Sequence, residues 1–337
     1  MDPIGDGRAE HDQHMLDHAF YEWSDYKALL SDSTRYVVVG RRGTGKSALV
    51  YRLGQHWRNE RKFCIEIAPN EEELIGFRSI AALFGQTVAM IRAGVKNLWK
   101  YALALQFVDS LSRYYKTSES IKQSSLLRDH LKKWQSHPGG PFSKLRRAHY
   151  DWLKSLDSPE TRIGEIADRL ELSSILKELI HILRQNAKSG VILVDRLDEG
   201  WHPDTVGIGV VDGLVYGTGE FREALSENIT SLVFLRDNIF RSIQTYDNDF
   251  SRNIEPKVLR LHWDPQELMY MATARLRVAL SVDKESEVKT WNSCTANELH
   301  GISGFRRCLR HTLYRPRDVI ALLNSAFYQA QRQNALR

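Results

Sequence analysis

Strand and helix patterns alternate along this chain. Short runs rich in β-branched and other apolar residues predict strands that are covered on both faces, as in a parallel sheet. Apolar residues three and four positions apart predict helices through most of the remaining sequence. Because strands separated by helices pair in parallel, the pattern predicts an α/β fold with one parallel five-stranded sheet. The five strand candidates are residues 36–39, 63–67, 191–194, 229–235 and 257–261.

The pattern divides the chain into three parts. Residues 1–14 are polar, contain glycine and proline, and are predicted to be disordered. Residues 15–264 hold every strand candidate and form the predicted core, with a large helical insertion over about 68–190. Residues 265–337 have helical spacing and no strand candidate, which predicts a C-terminal helical lid domain. The glycine-rich stretch 206–225 fits neither pattern cleanly, and we expect a helix with loose ends there.

The composition is that of an ordinary globular protein. The 337 residues are 42% hydrophobic and 26% charged, and no run of about 18 apolar residues predicts a membrane span. The three cysteines form no C-x-x-C pair and the polar N-terminus has no secretory signal. We therefore expect a cytoplasmic protein without a zinc site or disulfides. The net charge of +5 and the pI near 9.0 permit contact with nucleic acid without requiring it.

A glycine-rich motif directly follows the first strand candidate and precedes a helical pattern. Residues 40–47, GRRGTGKS, satisfy the phosphate-loop pattern G-x-x-x-x-G-K-[ST], which predicts ATP and Mg²⁺ as ligands. The glycines let backbone N–H groups point at phosphate oxygens, beside the positive end of the next helix. Lys46 is expected to contact the β- and γ-phosphates, and the Ser47 hydroxyl to bind Mg²⁺. The predicted nucleotide-binding residues here are Gly40, Arg41, Arg42, Gly43, Thr44, Gly45, Lys46, Ser47 and Ala48.

An acidic motif ends the third strand candidate. Asp195 follows four apolar residues and is predicted to hold Mg²⁺ through water, as a Walker B aspartate does. The next position, where such ATPases usually have an acidic general base, is Arg196. The base is then Asp198 or Glu199, with Glu199 slightly favoured; alternatively, both carboxylates only cap the next helix.

Arginines after the last strand candidates are further candidates for contacting the nucleotide. Arg236 ends the fourth strand candidate and is predicted either to sense the γ-phosphate or to form a salt bridge at the strand end. Arg241 and Arg252 are weaker candidates for arginine fingers that act in trans. Arg317 follows Pro316 at a predicted helix start, from which its side chain either reaches back to the nucleotide or pairs with Asp318.

Five segments together resemble bacterial P-loop ATPases allied to the STAND and KAP branches of the AAA+-like class. They are GRRGTGKSAL (40–49), VILVDRLDEGW (191–201), FLRDNIF (234–240), RLHWDPQEL (260–268) and RPRDVI (315–320). The resemblance implies a P-loop fold with strand order 5-1-4-3-2 and a helical lid. It implies Mg-ATP binding by Lys46, Ser47 and Asp195, a sensor role for Arg236 and a lid-arginine role for Arg317.

The resemblance also implies a function. Such ATPases act as nucleotide-gated switches in bacterial anti-phage or stress systems, assemble into oligomers and work with a separate effector. We therefore expect an ATPase that acts as an assembly switch, forms a homo-oligomer and has a protein effector or sensor partner. Arg196 in place of an acid predicts slow hydrolysis. A DNA-handling ATPase of the initiator or loader type and an ATP-stabilised scaffold with little hydrolysis stay open, whereas a small-molecule kinase is disfavoured.

Overall fold

The structure is a computed structural model, and it describes residues 3–32, 34–186, 188–225, 229–247, 249–282 and 286–333. These residues form two compact units. The first comprises the chain up to Asp32, Gly40–Leu53 and the chain from Arg260 onward. The second comprises the short segment before Gly40 and residues Gly54–Leu259. The phosphate-loop motif therefore groups with the C-terminal helices, whereas the predicted division places the two in separate domains.

Five strands form a parallel sheet with helices in the connections, so the expected mixed α/β class is confirmed. They are β1 Val37–Gly40, β2 Phe63–Ile67, β3 Gly190–Val194, β4 Ile229–Arg236 and β5 Val258–Arg260. Their order is β2-β3-β4-β1-β5, which confirms the expected order 5-1-4-3-2. β2 and β3 pair in parallel from Phe63 opposite Gly190 to Ile67 opposite Val194, and β4 continues the pairing beyond β3. All five residues of β3 are buried, as the run of apolar residues requires.

Helices make up most of the remaining described chain. They are α1 Gln13–His18, α2 Ser24–Ser31, α3 Lys46–Asn59, α4 Glu71–Ala81, α5 Val88–Ser112, α6 Tyr115–Gln123, α7 Ser125–Ser136, α8 Pro141–Ser155, α9 Pro159–Arg169, α10 Leu172–Gln185, α11 Thr205–Leu225, α12 Asp237–Tyr246, α13 Phe250–Asn253, α14 Pro265–Leu280, α15 Glu287–Cys294, α16 Gly304–Arg310 and α17 Pro316–Arg332. Short 3₁₀ helices span Ala9–His11, Ala82–Phe84 and Glu255–Lys257.

The glycine-rich stretch forms one continuous helix, α11, of 21 residues. Gly209, Gly213 and Gly217 recur every fourth residue and therefore share one face of the helix. A Cβ atom added at Gly213 would lie 2.8 Å from the Val95 side chain, and one added at Gly217 would lie 3.0 Å from the Lys96 carbonyl oxygen. The glycines thus let α11 pack closely along α5. The expected loose ends are not seen in the described range, because this packing stabilises the helix along its length.

The predicted helical insertion contributes to the core of the second unit. The helices α4–α10 lie between β2 and β3 in sequence, as expected. Fourteen of the 25 residues of α5 are buried, and a Cβ atom at Gly190 of β3 would lie 1.8 Å from the Phe107 ring. A large hydrophobic cluster joins side chains of α5 and α11 with those of the sheet. This part of the chain is therefore packed into the same core as the sheet.

The N-terminal segment differs from the expectation of disorder, although residues 1 and 2 lie outside the described part. Ile4 is fully buried, and its carbonyl accepts a hydrogen bond from Arg275 Nη1 (3.0 Å). Arg275 also forms an ion pair with Asp12 (2.6 Å), and both side chains are more than nine-tenths buried. A buried guanidinium requires such acceptors, which holds this polar segment against α14.

A two-stranded antiparallel hairpin corrects the expectation that the C-terminal part contains only helices. Its strands are β6 Glu298–Leu299 and β7 Ile302–Ser303. The connecting residues His300 and Gly301 both have positive φ, 51° and 73°, as a tight turn with left-handed central residues requires. Strands of two residues are too short to show an alternating pattern in the sequence.

In the described part of the chain, no single helix is both long and apolar enough to cross a lipid bilayer. The segments Glu71–Phe84 and Val88–Ser112 together meet the length and composition requirement, but they form a pair bent by 116°.

Candidate functional site

The phosphate-loop motif adopts the backbone conformation for which its glycines were expected. β1 ends at Gly40 and α3 begins at Lys46, so the motif connects a strand to a helix N-terminus. Gly43 and Gly45 have φ of 88° and 93°, values in the left-handed region that side chains disfavour. Thr44 is buried, and its hydroxyl donates to the Arg41 carbonyl (2.8 Å). The loop is therefore a tight turn stabilised from within.

The Lys46 ammonium group lies against carbonyl oxygens of the loop. Its Nζ donates to Gly40 O at 2.7 Å and to Arg41 O at 3.0 Å. Ser47, the next residue, lies in the first turn of α3 and is partly exposed. A cation and a hydroxyl at the start of a helix, where free backbone N–H groups are concentrated, form a local environment that attracts anions.

Three donors from the C-terminal part of the first unit bind three consecutive carbonyl oxygens of the loop. Arg315 Nη1 donates to Arg42 O (3.2 Å), the Arg317 backbone N–H to Gly43 O (3.3 Å), and Trp263 Nε1 to Thr44 O (3.0 Å). A Cβ atom at Gly43 would lie 3.2 Å from Arg317 Cβ, so the start of α17 closely contacts the loop. We call Trp263, the Arg315 side chain and the Arg317 backbone N–H the loop clamp.

The position of Trp263 is fixed by its surroundings. Its side chain is buried and stacks on Trp23, with ring centroids 4.3 Å apart. The preceding His262 N–H donates to Asp25 (2.8 Å), and the following Asp264 forms a capping box with Glu267 at the start of α14. The indole N–H is therefore presented to the loop by well-packed neighbours.

The sequence did not assign Trp263 and Arg315 to the loop. Both lie in segments that resemble the ATPase class, but a contact between residues more than 200 positions apart leaves no local spacing to read. Arg317 contacts the loop through its backbone, and its Nε donates to Gly7 O (3.0 Å). That the Arg317 side chain contacts a nucleotide stays a prediction.

The acidic motif lies in the second unit, directly after β3. Asp195 is buried, with 6% of its surface exposed, and its N–H donates to Ile67 O (2.9 Å), which extends the pairing with β2 by one residue. Arg196 then takes a positive φ of 61°, and the Glu199 N–H donates to Arg196 O (3.2 Å). A left-handed residue after the strand turns the chain sharply and begins a tight turn.

Two of the predicted catalytic residues form an ion pair in the second unit. Arg236 ends β4, Asp198 follows β3, and the guanidinium Nη2 pairs with Asp198 Oδ2. The expected alternative for Arg236, a salt bridge at a strand end, is therefore present. Glu199 is exposed, and its carboxylate has no ion pair within the described part of the chain. This difference favours Glu199 over Asp198 as the group free to accept a proton, and the role itself stays a prediction.

The two candidate arginine fingers are both exposed. Arg241 Nε pairs with Asp237 Oδ2 (3.0 Å) one turn earlier on α12. Arg252 lies in α13 and forms no ion pair with any described residue. A role in trans stays a prediction for both arginines.

A magnesium ion at this motif requires oxygen ligands. The Ser47 hydroxyl and the Asp195 carboxylate have the chemistry that Mg²⁺ prefers, together with water and phosphate oxygens. Among the described residues, no group of three or more histidine, cysteine, aspartate or glutamate side chains is suited to a metal ion. Magnesium binding by Ser47 and by Asp195 stays a prediction.

A charged cluster that was not expected from the sequence joins α5 and α11, and its two carboxylates are buried. Arg92 Nη1 lies 3.4 Å from Asp212 and also pairs with Asp247, which accepts a hydrogen bond from the Tyr216 hydroxyl (3.1 Å). Asp212 is fully buried, and one of its carboxylate oxygens has no hydrogen-bond partner. Burial raises the pKa of Asp212 to about 8, against the opposing effect of Arg92.

Comparison with known proteins gives relatives for most of the chain. Residues 266–337 match the FunZ-associated C-terminal helical domain. The chain is 42% identical over 333 residues to an Escherichia coli (strain K12) protein named as a transposon gamma-delta 80.3 kDa protein, a match that covers 98% of this chain and 47% of that protein. It is 52% identical over 101 residues to Allergen Alt a 2 of Alternaria alternata, which covers 30% of this chain and 53% of that protein.

The chain thus spans about half the length of the curated relatives it matches. No solved structure is a significant match.

Proposed function

We propose that this chain binds Mg-ATP through residues 40–47 and hydrolyses it slowly. The observation that carries the proposal is the loop itself, in which two positive-φ glycines precede a lysine at the start of a helix. Such a turn directs backbone N–H groups to one side and is suited to bind phosphate. β1 and β3 belong to one parallel sheet with β4 between them, which supports the assignment of Asp195 to the same function.

Each residue has a defined role in this proposal. Lys46 exchanges the loop carbonyls for the β- and γ-phosphate oxygens, and Ser47 and Asp195 supply oxygen atoms for Mg²⁺. When bound, the ion would neutralise charge on the phosphates. Glu199 accepts a proton from the attacking water, because the Asp198 carboxylate is paired with Arg236. The Asp198 carboxylate competes with a γ-phosphate for the Arg236 guanidinium, which favours slow turnover.

We further propose that the nucleotide controls assembly. The resemblance to STAND- and KAP-type ATPases supports a nucleotide-gated switch that forms a homo-oligomer and signals through a separate protein effector or sensor. The same resemblance supports a place for this switch in a bacterial anti-phage system in the cytoplasm.

The first experiment is steady-state ATP hydrolysis as a function of protein concentration. The proposal predicts slow turnover whose specific activity rises with concentration, because residues in trans complete an oligomeric site. Lys46→Ala should abolish both turnover and binding, whereas Lys132→Ala, which removes an exposed lysine on α7, should leave both unchanged. Mass photometry with and without Mg-ATP measures assembly in parallel.

The outcomes of this experiment separate the alternatives. Tight Mg-ATP binding that depends on Lys46 but has no turnover would favour the ATP-stabilised scaffold. Turnover at a specific activity independent of concentration, by a monomer, would exclude the assembly switch and retain the ATPase. Equal nucleotide binding by the parent chain and Lys46→Ala would exclude the proposed site.

A DNA-handling ATPase is the second candidate function. Two observations favour it: the pI near 9.0 and the name of the Escherichia coli relative, which refers to a transposon. A protein that neutralises several DNA phosphates binds more weakly as salt rises, so its apparent affinity should fall steeply between about 50 and 200 mM salt. Fluorescence anisotropy with labelled duplex DNA measures this dependence, and absence of binding at 50 mM salt would exclude it.

A further inference from the structure

We infer that the loop clamp sets the conformation in which the phosphate loop binds ATP, and that it couples ATP binding to the C-terminal helices. The inference rests on the proposed function. It assigns positioning residues, Trp263 and Arg315, that touch the loop from outside and hold no phosphate themselves.

Peptide geometry links the clamp to the direction of the loop N–H groups. The clamp binds the carbonyl oxygens of residues 42–44, and the described chain contains no cis peptide bond. In a trans peptide the N–H group points opposite to the carbonyl of the same peptide plane. Donors that fix the Arg42 and Thr44 carbonyls therefore turn the N–H groups of Gly43 and Gly45 to the other side of the loop. Backbone N–H groups that converge in this way are what a phosphate needs.

The start of α17 is capped by the phosphate loop. Pro316 has no N–H at the first helical position, and the preceding Arg315 provides no side-chain cap. The N–H of Arg317 is one of the donors that a helix leaves without an intrahelical partner, and Gly43 O accepts its hydrogen bond. The loop thus caps the helix while the helix positions the loop.

This mutual dependence makes the coupling reciprocal. If a bound phosphate favours the clamped conformation of the loop, it also favours the capped conformation of α17. By linkage, weakening the clamp lowers ATP affinity by the same factor by which ATP stabilises the clamp. ATP binding then stabilises the start of α17, which lies in residues 266–337, the segment that matches the FunZ-associated helical domain.

Trp263→Phe is the most precise variant. It removes the indole N–H that donates to Thr44 O and keeps an aromatic ring to stack on Trp23. Trp291→Phe is the matched control, because Trp291 is equally buried in the same unit, packs on Phe305 and has an indole N–H without a hydrogen-bond partner. Arg315→Gln is a second variant, which removes the donor to Arg42 O together with the Arg315 ion pair to Asp318 (2.6 Å), and Arg310→Gln, at an exposed arginine of α16, is its control.

Isothermal titration calorimetry with Mg-ATP on the full chain measures the effect. Trp263→Phe and Arg315→Gln should each raise the Kd roughly three- to tenfold, the loss expected for one hydrogen bond, and the controls should stay within about twofold. Hydrogen exchange at residues 316–320 should slow when Mg-ATP is added to the parent, and this response should shrink in the clamp variants. Far-UV circular dichroism and thermal unfolding verify that each variant folds.

One result would overturn the inference: both clamp variants have the same Kd for Mg-ATP and the same hydrogen-exchange response as the parent, while Lys46→Ala still abolishes binding. Absence of Mg-ATP binding by the parent would instead refute the proposed function, and the clamp inference with it. If one clamp variant does not fold, the other decides.

Discussion

Asp212 is a residue whose burial should make stability depend on pH. Its pKa is about 8 in the folded protein and near 3.8 in the unfolded chain, so the folded state binds more protons between these values. Protonated Asp212 therefore contributes to the stability of the folded state. This contribution is fully present below about pH 4 and is lost as the pH rises towards 8. Asp212→Asn stays neutral throughout, so the variant should gain roughly 1–4 kcal/mol relative to the parent between pH 5 and pH 8. Urea unfolding at several pH values measures the difference.

The control for this prediction is Asp151→Asn, a change at an exposed carboxylate of α8. Its unfolding free energy should follow the parent at every pH. If Asp212→Asn also follows the parent, Arg92 holds Asp212 in its charged form, and burial does not raise the pKa.

At the scale of residues, the sequence predicted those features that depend on residues close together in the chain. Gly43, Gly45 and Lys46 were expected from a motif of eight residues, and the structure gives the glycines the positive φ for which the motif requires them. Trp263 and Arg315 were not expected as loop contacts, since a hydrogen bond across 219 or 273 positions depends on the tertiary fold. For Arg236 the sequence predicted a salt bridge at the strand end as one alternative, but it did not identify Asp198 as the acceptor.

At the scale of elements, a glycine on the packed face of α11 and a glycine in open space on α9 should respond in opposite ways to substitution by alanine. Gly213→Ala places a methyl group 2.8 Å from the rigid, buried Val95 side chain, so it should destabilise the protein by about 1–3 kcal/mol. Gly164→Ala in α9 has nothing within 4 Å of the new atom and should stabilise it by about 0.5–1 kcal/mol through helix propensity. Chemical denaturation of the two variants should therefore give changes of opposite sign. A gain in stability from Gly213→Ala would show that α5 and α11 are not closely packed.

The strands were the most predictable elements. Runs of apolar residues located all five within one or two residues, and most plainly β1 and β3, which are buried along their whole length and have no polar face to obscure the pattern. The helix α11 was predicted as well, but with loose ends, because glycines replace the apolar residues that would have shown helical spacing along its whole length. The hairpin β6–β7 was missed because two residues cannot show a period.

At the scale of the whole chain, the first unit joins segments from both ends of the sequence. The buried ion pair between Asp12 and Arg275 should contribute much of the free energy that holds these segments together. Asp12→Ala leaves the Arg275 guanidinium buried without its carboxylate, which should cost about 3–5 kcal/mol. Glu119→Ala, which breaks an exposed pair with Lys122, should cost less than about 1 kcal/mol. Thermal unfolding distinguishes the two. If the effect of Asp12→Ala is equally small, the N-terminal segment is not held against α14. The prediction that residues 1–14 are disordered would then be retained.

The contacts of the loop clamp also set an order of events during synthesis. Arg315 is made 273 residues after Arg42, which takes on the order of 14–55 s at roughly 5–20 residues per second. During that time the loop has emerged from the ribosome without the donors that bind its carbonyl oxygens. A nascent chain would therefore acquire full affinity for ATP only after α17 has been translated, and a ribosome stalled before that helix would carry a loop that binds nucleotide weakly.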